Sequence, residues 1–164
     1  MKARLGNLRP ACVVVVCTVR ALKVHAGLAK AVLGKPLDQA VLTEDVAAVE
    51  KGAANLRHHL RIATNFGPPV VVALNRFPTD TDAEIAVVEG IAREFGAGFA
   101  VHTGFADGGA GAEALARAVV KAARPTDLRY QYEGQVRSCR GSRAWRRTST
   151  APPASSWPRR RARA

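Results

Sequence analysis

Two runs of β-branched residues constrain this chain more than any other feature: Ala11-Cys-Val-Val-Val-Val-Cys17 and Val70-Val-Val-Ala-Leu74. Neither run alternates apolar with polar residues. Such a pattern suits strands buried on both faces, which is the habit of parallel strands in α/β folds. Pro10 precedes the first run, where a missing N–H costs least. Both runs are far shorter than the roughly 20 apolar residues a membrane helix needs. The first is also poorly placed for a signal peptide.

Helical patterns fill the intervals. The stretch Arg20 to Lys35 is mixed and predicts a loop with a short helix. Thr43 to Asn65 predicts a long helix, with Thr43 as its N-cap and Glu44 and Asp45 at the positive end of its dipole. Val46, Val49, Ala53, Leu56, Leu60 and Ala63 form its apolar stripe, and Asn65-Phe-Gly-Pro-Pro69 stops it. A second helix is predicted over Thr81 to Phe95, capped by Thr79 or Asp80. Ile85, Val88, Ile91, Ala92 and Phe95 turn inward, with Glu84, Glu89 and Arg93 outside. Phe99 to His102 reads as a short third strand. A glycine-rich turn over Thr103 to Gly111 and a third helix over Ala112 to Ala123 follow, closed by Arg124-Pro125. Strands joined by helical crossovers of this length run parallel with right-handed connections. The predicted class is α/β: a parallel sheet with flanking helices.

The 164 residues suffice for one domain of ordinary size, and the net charge of +12 is unevenly spread. All 13 acids lie between Asp38 and Glu133, whereas residues 135–164 hold nine Arg and no acid. The division is therefore a nearly balanced α/β region, residues 1–130, and an Arg-rich tail, 131–164. The tail lacks periodicity, and Trp145 and Trp157 are its only large apolar groups after Val136, so disorder is expected. Nine Arg and two Trp also permit an alternative function, a nucleic-acid-binding accessory protein acting non-specifically through phosphates and bases. Cys12, Cys17 and Cys139 show neither a disulfide framework nor metal-ligand spacing. Cys12 and Cys17 read as small buried hydrophobes, and a reducing cytoplasm is the expected compartment. The four His lie in no metal-binding context.

Ligands of open parallel sheets bind beyond the carboxyl ends of the strands. Three loops leave those ends: Thr18 to Lys23, Asn75 to Asp80, and Thr103 to Gly109. Phe77 and Phe105 stand in otherwise polar turns. They either cover the sheet edge or sandwich a flat heterocycle. The Asn75 amide either pairs with a heterocycle edge, beside Arg76, or caps a helix-entry turn. Arg20 and Lys23, with His25, either meet an anion or are solvated surface charges. No GxxxxGK[ST] occurs in the chain, so a self-sufficient phosphate cradle is missing.

Taken together, Thr18-Val-Arg-Ala-Leu-Lys-Val-His25, Ala53-Ala-Asn-Leu-Arg-His-His-Leu60, Phe66-Gly-Pro-Pro through Asn75-Arg-Phe-Pro-Thr-Asp-Thr-Asp82, and Ala106-Asp-Gly-Gly109 resemble formate–tetrahydrofolate ligase. The resemblance is colinear from about Leu5 to Asp127, with its match ending near Tyr130 to Gln135. It implies a P-loop NTPase-like or Rossmann-like three-layer core, incomplete here. The implied reaction joins formate to tetrahydrofolate with ATP, through formyl phosphate, to give 10-formyltetrahydrofolate. Magnesium accompanies the ATP, a monovalent cation supports the enzyme, and many members are homotetramers. In the family a Phe stacks on the folate at the position of Phe77. A second aromatic, usually Trp, stands where this chain has Phe105. The resemblance also marks Asn75, Arg76, Thr79, Asp80, Gly108 and Gly109 as a nucleotide or substrate loop. It assigns no catalytic residue and no metal ligand here.

Members of that family are several-fold longer, and their phosphate loop lies in an N-terminal part. An internal fragment with one wall of the folate site, inactive alone, is therefore expected. The abrupt loss of acids and periodicity further suggests that the tail reads from a shifted frame of a GC-rich gene.

Overall fold

Both valine-rich runs become strands of one sheet. A computed structural model describes residues 6–29 and 36–130. Its elements are β1 (Val13–Cys17), α1 (Val19–His25), α2 (Gln39–Leu42), α3 (Val46–Asn65), β2 (Val70–Asn75), α4 (Asp82–Glu94), β3 (Gly98–His102) and α5 (Gly104–Ala122). The Arg-rich tail, 131–164, lies outside the described residues, and so do the disorder and the frame shift expected of it.

Among the described residues the sheet has three strands in the order β1-β2-β3, all parallel. Val13 pairs with Val70 and Cys17 with Leu74, while Val71 pairs with Gly98 and Asn75 with His102. The carboxyl ends of all three strands therefore meet at one rim. The central strand is the apolar one: Val70 through Leu74 are all buried. Val70, Val72 and Leu74 join Val49, Ala53, Leu56 and Leu60 of α3 and Ile85, Val88 and Ile91 of α4 in the main core. Val71 and Ala73, on the opposite face, are buried as well. α5 packs against β3 and β2.

Burial on both faces fails for β1. Val14 is 41% exposed and Val16 69%, while Val13, Val15 and Cys17 pack into the core. An unbroken valine run does not distinguish a central strand from an edge strand, because the covering elements are set by topology.

α1 lies against α3 at a close crossing. A Cβ on Gly52 would stand 1.8 Å from the Leu22 carbonyl oxygen, so only glycine permits this approach.

The helix starts differ from expectation for identifiable reasons. α3 begins at Val46, not near Thr43, and its cap is Asp45, whose carboxylate accepts the Ala48 N–H at 2.8 Å. Thr43 is instead spent on closing the short α2, which the sequence pattern did not reveal: its N–H and its hydroxyl both donate to the Gln39 carbonyl. α4 is capped by Thr81 rather than Thr79 or Asp80. Thr81 accepts the Glu84 N–H, and the Glu84 carboxylate reaches back to the Thr81 N–H, a full capping box. Thr79 and Asp80 are occupied elsewhere, as described below. The expected glycine-rich turn is mostly helical: α5 starts at Gly104 and is broken at Gly108, whose φ of 58° and ψ of −134° lie outside the helical region.

Candidate folate-site loops

The loop after β2 is built by its own side chains. Asp80 is buried, and its carboxylate accepts the Phe77 N–H at 2.8 Å, while the Asp80 N–H donates to the Phe77 carbonyl at 3.0 Å. These two bonds close a tight turn around Pro78. Burial raises the pKa of Asp80, opposed by the Phe77 N–H and by the charges of Arg20 and Lys23. Arg76 is exposed and pairs with Asp82 at 3.0 Å, and its N–H donates to the His102 carbonyl at 3.0 Å. That backbone bond ties the β2 loop to the end of β3.

α1 reaches into the same loop from the other side. The Arg20 guanidinium lies over the Phe77 ring, 3.9 Å from its centroid, and donates to the Thr79 hydroxyl at 3.1 Å. Thr79 is thus an acceptor for Arg20 and not a helix cap. Phe77 itself is half-buried.

Lys23, expected either at a solvated surface or at an anion, meets an anion supplied by the chain's own core. It is 1% exposed, and its ammonium sits 2.5 Å from the Glu84 carboxylate, which is 0% exposed. Lys23 also donates to the Thr43 carbonyl at 2.8 Å and to the Val41 carbonyl at 3.3 Å. Three acceptors occupy the three N–H bonds of the ammonium. Glu84, expected on the outer face of its helix, is consequently a core residue. Besides Lys23 it accepts the Asp45 N–H at 2.8 Å and the Thr81 N–H at 3.2 Å. Burial pushes its pKa up, but hydrogen bonds from Lys23 and from these two N–H groups outweigh that and hold the carboxyl below its usual range. One buried pair therefore fastens α1, the α2–α3 junction and the N-terminus of α4 behind the Asn75–Asp80 loop. The Thr81-Asp-Ala-Glu84 spacing is a capping-box signature that could have flagged the Glu84–Thr81 bond, whereas the burial of Glu84 follows from α1 packing against it.

Phe105 stands at the start of α5, 97% exposed. Asn75 and His102 are paired neighbours, so the loops bearing Phe77 and Phe105 leave adjacent strand ends. Nearby, the His102 Nδ1 accepts the Gly104 N–H at 2.9 Å. Gly108 and Gly109 lie at the helix break, both exposed, and a Cβ at either would meet open space. The left-handed φ of Gly108 still favours glycine. A groove of about 620 Å³ lies elsewhere, along β1 between α1 and α3, and neither Phe lines it. Among the described residues no three His, Cys, Asp or Glu side chains gather in a metal-like cluster, and no helix is long and apolar enough to cross a membrane.

Comparison with known proteins agrees with the loop motifs. The family model for formate–tetrahydrofolate ligase matches residues 1–139, a longer stretch at both ends than the motifs alone indicated. A formate–tetrahydrofolate ligase of Desulforamulus reducens is 51% identical over 127 residues, which is 77% of this chain and 22% of that protein. One from Cutibacterium acnes is 49% identical over 134 residues, 81% of this chain and 24% of that protein. The cytoplasmic C-1-tetrahydrofolate synthase of Mus musculus is 48% identical over 135 residues, 81% of this chain and 14% of that protein. The chain thus spans less than a quarter of the length of these relatives. Identity at this level over the whole α/β region leaves one assignment: the chain belongs to the formate–tetrahydrofolate ligase family.

Proposed function

We propose that this chain supplies one wall of the tetrahydrofolate site of an ATP-dependent formate–tetrahydrofolate ligase and does not turn over alone. The observation that carries the reading is the placement of Phe77 and Phe105 on loops leaving adjacent, paired strand ends at one rim of a parallel sheet. Phe77, half-buried and held by the Asp80 turn, offers a ring of defined position. Phe105 offers an exposed one. Flat rings stack on such aromatics at low entropic cost. Asn75, at the end of β2 beside Phe77, has an amide suited to a heterocycle edge. Arg76, Thr79 and Asp80 shape that loop, and the break at Gly108 and Gly109 lets backbone approach a ligand.

In the complete reaction, ATP activates formate as formyl phosphate and N10 of the folate attacks it, giving 10-formyltetrahydrofolate, ADP and phosphate. This chain's residues contribute binding and orientation of the folate. Without a GxxxxGK[ST] loop among its 164 residues, stabilisation of phosphoryl transfer has no source here. Magnesium with the ATP and a monovalent cation belong to the complete ligase in the same reading. A cytoplasmic setting and homo-oligomerisation of the longer ligase belong to the same reading.

Calorimetric titration of the chain with tetrahydrofolate tests it. Binding should be measurable and weakened about tenfold by Phe77→Ala, the scale of one aromatic stack. ATP- and formate-dependent product should be absent. Equal affinity in wild type and Phe77→Ala refutes the folate wall, and turnover by the purified chain refutes the inactivity.

A further inference from the structure

Arg20 belongs to α1, yet its guanidinium lies on Phe77 and Thr79, residues 57 and 59 positions further along the chain. A guanidinium whose central carbon lies 3.9 Å from the ring centroid is in van der Waals contact with the ring, so it occupies one face. Its Nε is buried with no hydrogen-bond partner. Contact with the ring, together with the Thr79 hydroxyl and the charge of Asp80, holds this side chain. The base of α1 is fixed by the Lys23–Glu84 pair one turn further on, which gives Arg20 a rigid origin.

We propose that Arg20 is a positioning residue for Phe77, backing one face of the ring so that a planar ligand stacks only on the other. This rests on the folate reading and adds to it the face and the residue that selects it. It also replaces the expected anion contact: a guanidinium that leaves the ring to meet an anion would release Phe77. Lysine has charge but no plane, so it cannot back the ring in the same way.

The test uses the complete 164-residue chain with labelled phenylalanine rings and arginine side chains, followed by NMR. Without ligand, Arg20 side-chain protons should be shifted upfield by the Phe77 ring and should lose that shift in Phe77→Leu. With tetrahydrofolate added, nuclear Overhauser contacts should run from the ligand to the Phe77 ring while the Arg20 shift persists. Arg20→Ala should raise the dissociation constant about fivefold. Arg20→Lys should act in the same direction and serves as the second variant if Arg20→Ala fails to fold. Unchanged affinity in a folded Arg20 variant overturns the proposal. So does a ligand contact to the Arg20 guanidinium, which would place the ligand on the backed face. A wild-type chain that shows no response to tetrahydrofolate instead refutes the folate reading and takes the ligand half of this inference with it.

Discussion

Glu84→Gln removes one charge from the buried pair while keeping the shape of the side chain. The introduced amide's one carbonyl oxygen can replace Oε1, which accepts the Asp45 N–H, or Oε2, which accepts the Thr81 N–H, but not both, so one of these N–H groups is left facing the amide NH2. What changes is the partner: Lys23, 1% exposed, keeps its charge and loses the carboxylate 2.5 Å away. The Val41 and Thr43 carbonyls remain as acceptors, but neither they nor an amide oxygen carries the charge that balances the ammonium. Breaking a buried pair by deleting one member costs about 3–5 kcal/mol, because the other charge is left uncompensated. Domains of this size have about 5–15 kcal/mol in total. The substitution should therefore lower the urea midpoint sharply, or leave the chain unfolded. Lys23→Met should do likewise, since it strands the Glu84 carboxylate. The double variant removes both charges and should cost less than the sum of the single changes by about 1–3 kcal/mol. Urea unfolding of the four proteins followed by far-UV circular dichroism gives the cycle. The pH dependence adds a second reading. The pKa of Glu84 is lowered by folding. Its contribution is therefore present above the ordinary glutamate range and lost as pH falls through the lowered value. That acid-side loss should shrink in Glu84→Gln. Single variants within about 1 kcal/mol of wild type, the range of exposed pairs, would refute a buried electrostatic fastening.

Other perturbations probe separate parts of the structure. Gly52→Ala should destabilise strongly, because its Cβ would overlap the Leu22 carbonyl of the facing helix, and a lowered melting temperature checks it. Phe105→Ala should leave the melting temperature unchanged, the ring being 97% exposed, while weakening tetrahydrofolate binding in calorimetry. Asp80 should behave oppositely to Glu84: its pKa is raised by folding, so its contribution is present at low pH and lost as pH rises through the raised value. Asp80→Asn should flatten that slope in urea midpoints measured across the acid range. Cys17, its thiol pushed up to about 12 by burial and by the charge of Asp80, should resist thiol-specific reagents at neutral pH in the folded chain and react once urea is added.

The β2 strand shows why periodic apolar signals transfer well from sequence to structure. Five consecutive apolar residues between Pro69 and Asn75 have nowhere to go but a doubly covered strand, and all five are buried. The stripes of α3 and α4 likewise reach the core, except Val46 in the first turn of α3, which is half-buried outside it. Helix starts transferred less well, because Thr43, Thr79, Asp80 and Thr81 are all chemically able to cap. Competition for their polar groups decides among them: Lys23 and Gln39 engage Thr43, Arg20 engages Thr79, and the Phe77 N–H engages Asp80. At the rim, the places of Asn75 to Asp80 and Phe105 beyond adjacent strand ends follow from the strand pattern. The coupling of Arg20 to Phe77 does not, since nothing local links positions so far apart.

Local chemistry alone determined the alternation of strands and helices, the apolar faces, and the loops that leave the carboxyl ends of the strands. It did so because burial demands and capping preferences act over a few neighbouring residues. Tertiary structure decided which charges are internal, which face of β1 is left open, and which side of Phe77 is occupied. Lys23 and Glu84 look like surface residues until α1 and α4 are brought together, at which point each becomes the other's solvent. Such long-range pairings depend on how whole elements pack, and that information is spread over the chain rather than written at either residue.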